Sequence, residues 1–226
     1  MNWEDEGYLL AKKKFRENAN IIDVFTKNYG RVSGIVYGGN SRKIRNFLQI
    51  SNKISIFFNS KNENKIGYFK TELIEPISPR YFNDKKRTSA LLSLTSILNL
   101  LLPISQPYKS IYNSVSELFT NMNEEKWFYL YIFWELNLIK ELGFDPNLNS
   151  SSVSSSNNDS NINVNIDNIN YSIPSFMISR KIPILLNNSL IKKALVFNRN
   201  IMVNKFFAPN NLNFPKTRII LENYFI

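Results

Sequence analysis

The chain has 226 residues, enough for two modest domains, and carries 28 Lys and Arg against 18 Asp and Glu for a formal net charge of +10. It contains neither cysteine nor histidine. Those two zeros exclude disulfides, thiol nucleophiles, cysteine-bound zinc, iron–sulfur clusters, a Ser-His-Asp triad and any imidazole metal ligand. The phosphate-cradling patterns G-x-x-x-x-G-K-[ST] and G-x-G-x-x-G are missing too, and no paired carboxylates mark a metal site. A non-enzymatic protein with no cofactor is the expectation. Asn occurs 34 times and Lys 19 times against 9 Arg, so the placement of charge says more than its total.

The first residues, Trp3-Glu4-Asp5-Glu6, are acidic where a secretory signal is basic and then apolar. The most apolar stretch, residues 90–104, is broken by polar residues and Pro103 and is too short to span a bilayer. A soluble, cytoplasmic protein is expected.

Short strands come first. Residues 7–15 read as a first strand, and residues 20–25 and 31–37 are apolar, β-branched runs joined by the hairpin signal Lys27-Asn28-Tyr29-Gly30. Residues 41–49 fit a short helix with Ile44, Phe47 and Leu48 on one side. Residues 53–58 alternate Ile54, Ile56 and Phe58 against Ser55 and Phe57, and residues 66–74 form a fifth strand. Five strands with a helical insert after the third is the layout of an OB-fold, with a small SH3-type barrel as competitor. Pro76 and Pro79 punctuate a boundary. We therefore expect an α+β chain: an N-terminal OB-fold β-barrel over residues 1–78, then an α-helical bundle domain over 79–226.

The period then becomes helical. Residues 84–102 carry a continuous apolar side, and Ile111, Val115, Leu118, Phe119 and Met122 recur at helical spacing. Asn123, followed by Glu124 and Glu125, reads as the cap of a third helix through Trp127, Tyr131, Trp134 and Leu138 to a stop at Gly143-Phe144. So much of that helix is apolar that it is expected at the centre of the bundle, its aromatic stripe packing the core instead of lining a ligand pocket. Glu124, Glu125, Glu135 and Glu141 are assigned to helix capping or solvation. Residues 149–170 are a low-complexity Asn/Ser insertion, with a flexible loop at 150–160 and a strand pair around Ile162–Ile166 and Ile169–Ile173 lying on the surface. Residues 188–207 and 215–224 read as two closing helices.

Basic groups of the first domain cluster: Lys12, Lys13, Lys14 and Arg16; Lys27 and Arg31; Arg42, Lys43 and Arg45; and Lys61 with Lys65. In an OB-fold, oligonucleotides cross strands 2 and 3 between the loops joining strands 1–2 and 4–5, expected here at residues 14–19 and 59–65. These eleven residues are the candidate DNA-binding set, with Phe15, Tyr29 and Tyr37 as candidate stacking rings. Gly38-Gly39 ahead of Arg42, Lys43 and Arg45 lets backbone approach a phosphate, and a structural turn explains the pair equally well. A solvated Lys-rich face accounts for the same charges.

Taken in order, Trp3-Glu4-Asp5-Glu6-Gly7-Tyr8-Leu9-Leu10, Val24-Phe25-Thr26-Lys27-Asn28-Tyr29-Gly30-Arg31, Val36-Tyr37-Gly38-Gly39-Asn40-Ser41-Arg42 and Leu142-Gly143-Phe144-Asp145-Pro146-Asn147-Leu148 resemble the RecO family of DNA-repair proteins. Phe206-Phe207-Ala208-Pro209 resembles the family's late helical segment. The resemblance implies a recombination mediator acting on the nucleoid. Such proteins bind single- and double-stranded DNA, anneal complementary strands and, with RecR and in some lineages RecF, help RecA displace single-strand-binding protein, whose C-terminal tail they contact. Many members carry a four-cysteine zinc module after the Gly-Phe stop. This chain has the Ser/Asn run there, so no zinc module is expected. The alternative is a generic OB-fold module binding RNA or single strands without annealing.

Overall fold

The computed structural model describes residues 2–39, 41–60, 66–148, 161–184 and 187–225. It divides into two compact units, Met1–Tyr112 with Pro215–Arg218, and Asn113–Phe214 with Ile219–Ile226.

The first unit is built on five strands and one short helix: β1 (Asn2–Arg16), β2 (Ala19–Thr26), β3 (Gly30–Tyr37), α1 (Arg42–Phe47), β4 (Lys53–Asn59) and β5 (Gly67–Glu75). They close in the order β1-β2-β3-β5-β4, with β3 and β5 parallel and the other pairs antiparallel. Closure depends on the length of β1. Its first half pairs with β4, from Asn2↔Asn59 to Tyr8↔Lys53, and its second half pairs with β2, from Gly7↔Thr26 to Arg16↔Ala19. Register shifts near Leu9 and Lys14 bend the strand between its two partners.

Side-chain alternation fills the barrel. Leu9, Ile22, Val24, Val32, Val36, Ile54, Ile56 and Phe69 point inward with Leu48 beneath them. Each such side chain contributes roughly 1.5–3 kcal/mol when fully buried. At Gly34 a Cβ would stand 2.5 Å from the Phe69 ring, so glycine is what lets the ring cross the barrel. Trp3 joins the same core, stacked on Tyr29 at 4.0 Å and on Phe58 at 4.9 Å. Asp5 is buried beside them and accepts hydrogen bonds from the Asn28 backbone N–H at 2.7 Å and its side-chain amide at 3.0 Å. One carboxylate thereby fixes the β2–β3 turn.

The same unit continues past a 3-10 turn at Ser78–Tyr81 into α2 (Lys85–Leu101). Asp84 caps α2, accepting from the Arg87 N–H at 2.9 Å and pairing with its guanidinium at 2.6 Å. α2 packs on β1, and Arg31 donates to the Asn99 carbonyl at 2.8 Å. Tyr112 lies 5.3 Å from Tyr8, centroid to centroid. These contacts carry the compact unit as far as Tyr112.

Helix α3 (Lys109–Thr120) leads into the second unit, where α4 (Trp127–Glu141) is buried on nearly every side. Its start corrects the sequence reading. Residues 123–126 are turns, Lys126 is the cap residue, and no side chain caps the helix. Its end agrees with expectation: Gly143 sits at φ +98°, with Gly143 N–H on Lys140 O at 2.9 Å and Phe144 N–H on Ile139 O at 3.2 Å. That is a Schellman stop, which needs a residue tolerant of positive φ. The aromatic stripe is core, as expected.

Glu135 is buried, not solvated, and accepts from Asn198 Nδ2 at 3.1 Å. Asn198 belongs to α6 (Asn188–Met202), which packs on α4. The hairpin β6 (Asn161–Ile166) and β7 (Ile169–Pro174) turns through Asp167 and Asn168, both at positive φ. It is not a surface insertion. Val164, Ile166 and Ile173 are buried, and Tyr171 meets Phe197 of α6 edge-on at 5.3 Å. Val and Ile at alternate positions make an apolar face that needs a cover, and α6 supplies it. Short α5 (Ser175–Ser179), a π-turn at Val203–Phe207 and α7 (Lys216–Asn223) complete the chain. The loop expected at residues 150–160 lies outside the described residues. Among those described, no helix is long and apolar enough to cross a membrane, and no group of three or more acidic residues could hold a metal ion.

Candidate nucleic-acid interface

The structure sorts the eleven cations. Lys13 is in register with Ile21, Ile35 and Tyr68, a row crossing β1, β2, β3 and β5. Ile22, on the neighbouring row, is in the core, so this row faces outward. Arg16 follows the second register shift opposite Ala19, itself opposite Tyr37. Lys13, Lys14 and Arg16 are exposed at this end of the barrel. So are Arg42 and Arg45 on α1, which Ile44 and Phe47 anchor to the core.

Lys12 is exposed too, but its ammonium is held by the protein. It shares the inward register of Ile22, and its Nζ donates to Leu48 O at 2.7 Å beneath α1. Burial, and then the positive charge of Arg45, lower its pKa from the ordinary lysine value. Arg31 is spent on Asn99. Lys27 is exposed in the β2–β3 turn, at the far end of an eight-residue strand and therefore about 25 Å from the Arg16 end. Lys61, Lys65 and the side chain of Lys43 lie outside the described residues.

The loops differ from expectation as well. The first is only a two-residue turn at 17–18, because β1 continues to Arg16. The glycine pair has a structural cause: Gly38 takes φ +68°, and a Cβ on Gly39 would stand 2.3 Å from the Asn20 amide.

Among the candidate rings, Tyr29 is stacked on Trp3 and half-buried. Phe15 is 42% exposed, with the Arg16 guanidinium 5.1 Å from its centroid. Tyr37 is 53% exposed and stacks on Tyr68 at 5.3 Å, with 25° between the planes. Its hydrogen bond with Tyr68 is the main cause of a raised pKa.

Tyr68, Phe57 and Lys70 were absent from the candidate set. Tyr68 is 43% exposed and Phe57 39%. With Tyr37, Val36, Ile44 and Lys70 they line a cavity of about 480 Å³. The signal was available in the alternation: Phe57 falls on the polar phase of β4, and Tyr68 and Lys70 share the outward phase of β5. An aromatic on the solvent phase of a strand is the observation that needs explaining. The arrangement can stack flat rings on exposed aromatic faces and neutralise phosphates beside them.

A model described as Recombination protein O N terminal matches residues 1–77, and one described as Recombination protein O C terminal matches residues 83–164. The chain belongs to the Recombination protein O family. Relatives named DNA repair protein RecO are 32% identical over 158 residues in Roseobacter denitrificans and 32% identical over 156 residues in Wolbachia sp. subsp. Drosophila simulans. Each alignment covers 68% of this chain, which spans 64% of the relative's length. A third, from Cereibacter sphaeroides, is 30% identical over 158 residues, covering 69% of this chain and 65% of that protein. A solved asparaginyl-tRNA synthetase from Entamoeba histolytica superposes with a TM-score of 0.30 and 9% identity, covering 95% of this chain and 60% of that one, too slight a likeness to bear on fold or function.

Proposed function

We propose that this chain is a non-enzymatic DNA-repair mediator that binds single- and double-stranded DNA and anneals complementary strands. In this reading residues 1–78 are the nucleic-acid-binding domain and residues 79–226 the helical domain. With RecR, and with RecF in the lineages that have it, the protein helps RecA load onto strands coated with single-strand-binding protein, whose C-terminal tail it contacts on the nucleoid. The observation that carries the reading is the exposed Tyr37–Tyr68 stack, which shares its strand rows with Arg16 and Lys13 and has Lys14, Arg42 and Arg45 exposed on the neighbouring β1 and α1. Cations supply sequence-independent attraction for any strand, and exposed rings supply stacking for bases that have left a duplex. A protein that brings two single strands together needs both and needs no reacting atom. The family relationship supports the same assignment.

The test is annealing of complementary oligonucleotides, bare and coated with single-strand-binding protein, at low and moderate salt. Acceleration in both conditions is expected. Binding without annealing would reduce the protein to a generic strand binder, and no binding at low salt would overturn the reading. Reversing Arg16, Arg42 and Arg45 to Glu is expected to weaken binding evenly across sequences. It should also flatten the salt dependence on single strands by about 2 log units of affinity per log unit of salt, at about 0.7 for each lost phosphate contact.

A further inference from the structure

The ladder between β3 and β5 is short. It consists of Gly34↔Gly67 and Ile35↔Tyr68, although β3 continues to Tyr37 and β5 to Glu75. Beyond Ile35 the two parallel strands part, and the wedge they leave is the cavity lined by Tyr37, Phe57, Tyr68, Ile44 and Lys70. A closed barrel ordinarily hides such a seam. Here it stays open at the surface, its walls formed by aromatic and aliphatic groups that would contribute more stability if covered.

We propose that this wedge is a pocket for one unstacked nucleobase of a single strand. The claim rests on the nucleic-acid-binding reading above and adds to it a seat and a substrate preference. The volume, about 480 Å³, suits a flat heterocycle and lies within the 300–1,000 Å³ usual for small-ligand sites. The Tyr37–Tyr68 stack presents a π-face that an incoming base extends, with Phe57 and Ile44 on the other walls. Asn59 adds an amide able to donate to or accept from a base edge.

Charge complementarity selects the occupant. Lys70 lines the pocket, and Arg16 lies near enough to Tyr37 for its charge to act on the ring hydroxyl. Arg42 and Arg45 flank Ile44 on α1. A nucleotide seated base-inward therefore has Lys70 in the lining and exposed cations on α1 and at the end of β1 for its phosphates. Carboxylates stand at the margins: Glu4 opposite Phe57, Glu72 two residues beyond Lys70 on β5, and Glu17 next to Arg16 in the β1–β2 turn. They bound the cationic zone without entering the pocket lining. A base inside a duplex is stacked on both faces and cannot enter. Single strands, loops and unpaired bases are the substrates the pocket distinguishes.

The experiment measures, with the full chain, the affinity for a 15-nucleotide oligothymidine, for a 15-base-pair duplex, and for that duplex with one unpaired base. Tyr68→Ala and Phe57→Ala remove walls, and Ile44→Trp fills the cavity. Circular dichroism checks that each variant remains folded. Each variant is expected to lose about 5- to 150-fold in affinity for the oligothymidine, the range measured for single base stacks, while the intact duplex binds as before. The wild type should also prefer the duplex carrying the unpaired base over the intact one. If the wall variants bind the oligothymidine like wild type while the Arg16/Arg42/Arg45 reversal abolishes binding, the pocket is overturned and the nucleic-acid reading stands. Equal losses on single strand and duplex would also overturn it, as would a loss in Tyr68→Ala that Ile44→Trp does not share, since either points to an open platform. A wild type that binds none of the three probes overturns both proposals.

Discussion

The two units use aromatic residues in opposite ways. In α4, Trp127, Phe128, Tyr129, Tyr131 and Trp134 are all buried, because helical spacing turns them into a core that also receives Phe176 and Phe225. In the barrel, Tyr37, Phe57 and Tyr68 stand on the outward phase of strands whose inward phase is already filled by Val36, Ile56 and Phe69. Aromatic content therefore says nothing about function until it is read against the period of its element. A ring in phase with the core contributes to stability. A ring out of phase is available to a partner.

The sharpest way to break this contrast is to truncate one ring from each set. Trp134→Ala is expected to cost about 3–5 kcal/mol, the range for large aromatic side chains removed from a packed core. Tyr68→Ala is expected to stay within about 0.5 kcal/mol of wild type, as exposed substitutions usually do. Urea denaturation followed by far-ultraviolet circular dichroism measures both, and comparable losses would erase the distinction.

A second prediction compares how helices of the two units begin. Asp84 caps α2 with its side chain, whereas α4 starts without a side-chain cap. Asp84→Ala is expected to cost about 1 kcal/mol. For Asp84, burial raises the carboxyl pKa, but the Arg87 N–H and guanidinium outweigh it and hold the group below its ordinary 3.8. A carboxyl depressed in the folded state stabilises above its unfolded pKa, and that contribution is lost as pH falls through the folded value. The advantage of wild type over Asp84→Asn should accordingly be full at pH 6 and shrink as the pH drops below about 4. A gap independent of pH would show that the charge contributes nothing.

The smallest effect concerns the exposed pair. Tyr68→Phe keeps the ring and deletes the hydroxyl that raises the pKa of Tyr37. The Tyr37 resonance in a high-pH NMR titration should then move to lower pH, toward the ordinary value near 10. Base stacking should survive in this variant and fail in Tyr68→Ala.

Much of the architecture was legible because period and punctuation agree. Strand alternation, the insert after β3 and the Gly143 stop are local signals read without knowledge of any partner. Several misreadings share one cause, a partner distant in sequence. β1 begins at Asn2, earlier than its apolar run suggests, because its first half pairs with β4, from Asn2↔Asn59 to Tyr8↔Lys53. Glu135 was assigned to solvent because Asn198, 63 residues on, is invisible to periodicity. Lys12 looked like its neighbours until α1 placed the Leu48 carbonyl above it. The wedge itself depends on where a parallel ladder ends, and no local pattern encodes that.

The double pairing of β1 also has a consequence for how the chain folds. Its second half meets β2 after a two-residue turn, a local pairing that forms early, but Asn2 must wait for Asn59. During synthesis the front of β1 is thus an unpaired edge until β4 emerges, and such edges invite strands from other molecules. That segment carries Glu4, Asp5 and Glu6 in succession. Three adjacent carboxylates repel a second copy of themselves, so the acidic start of the sequence guards against aggregation during the interval before the barrel closes.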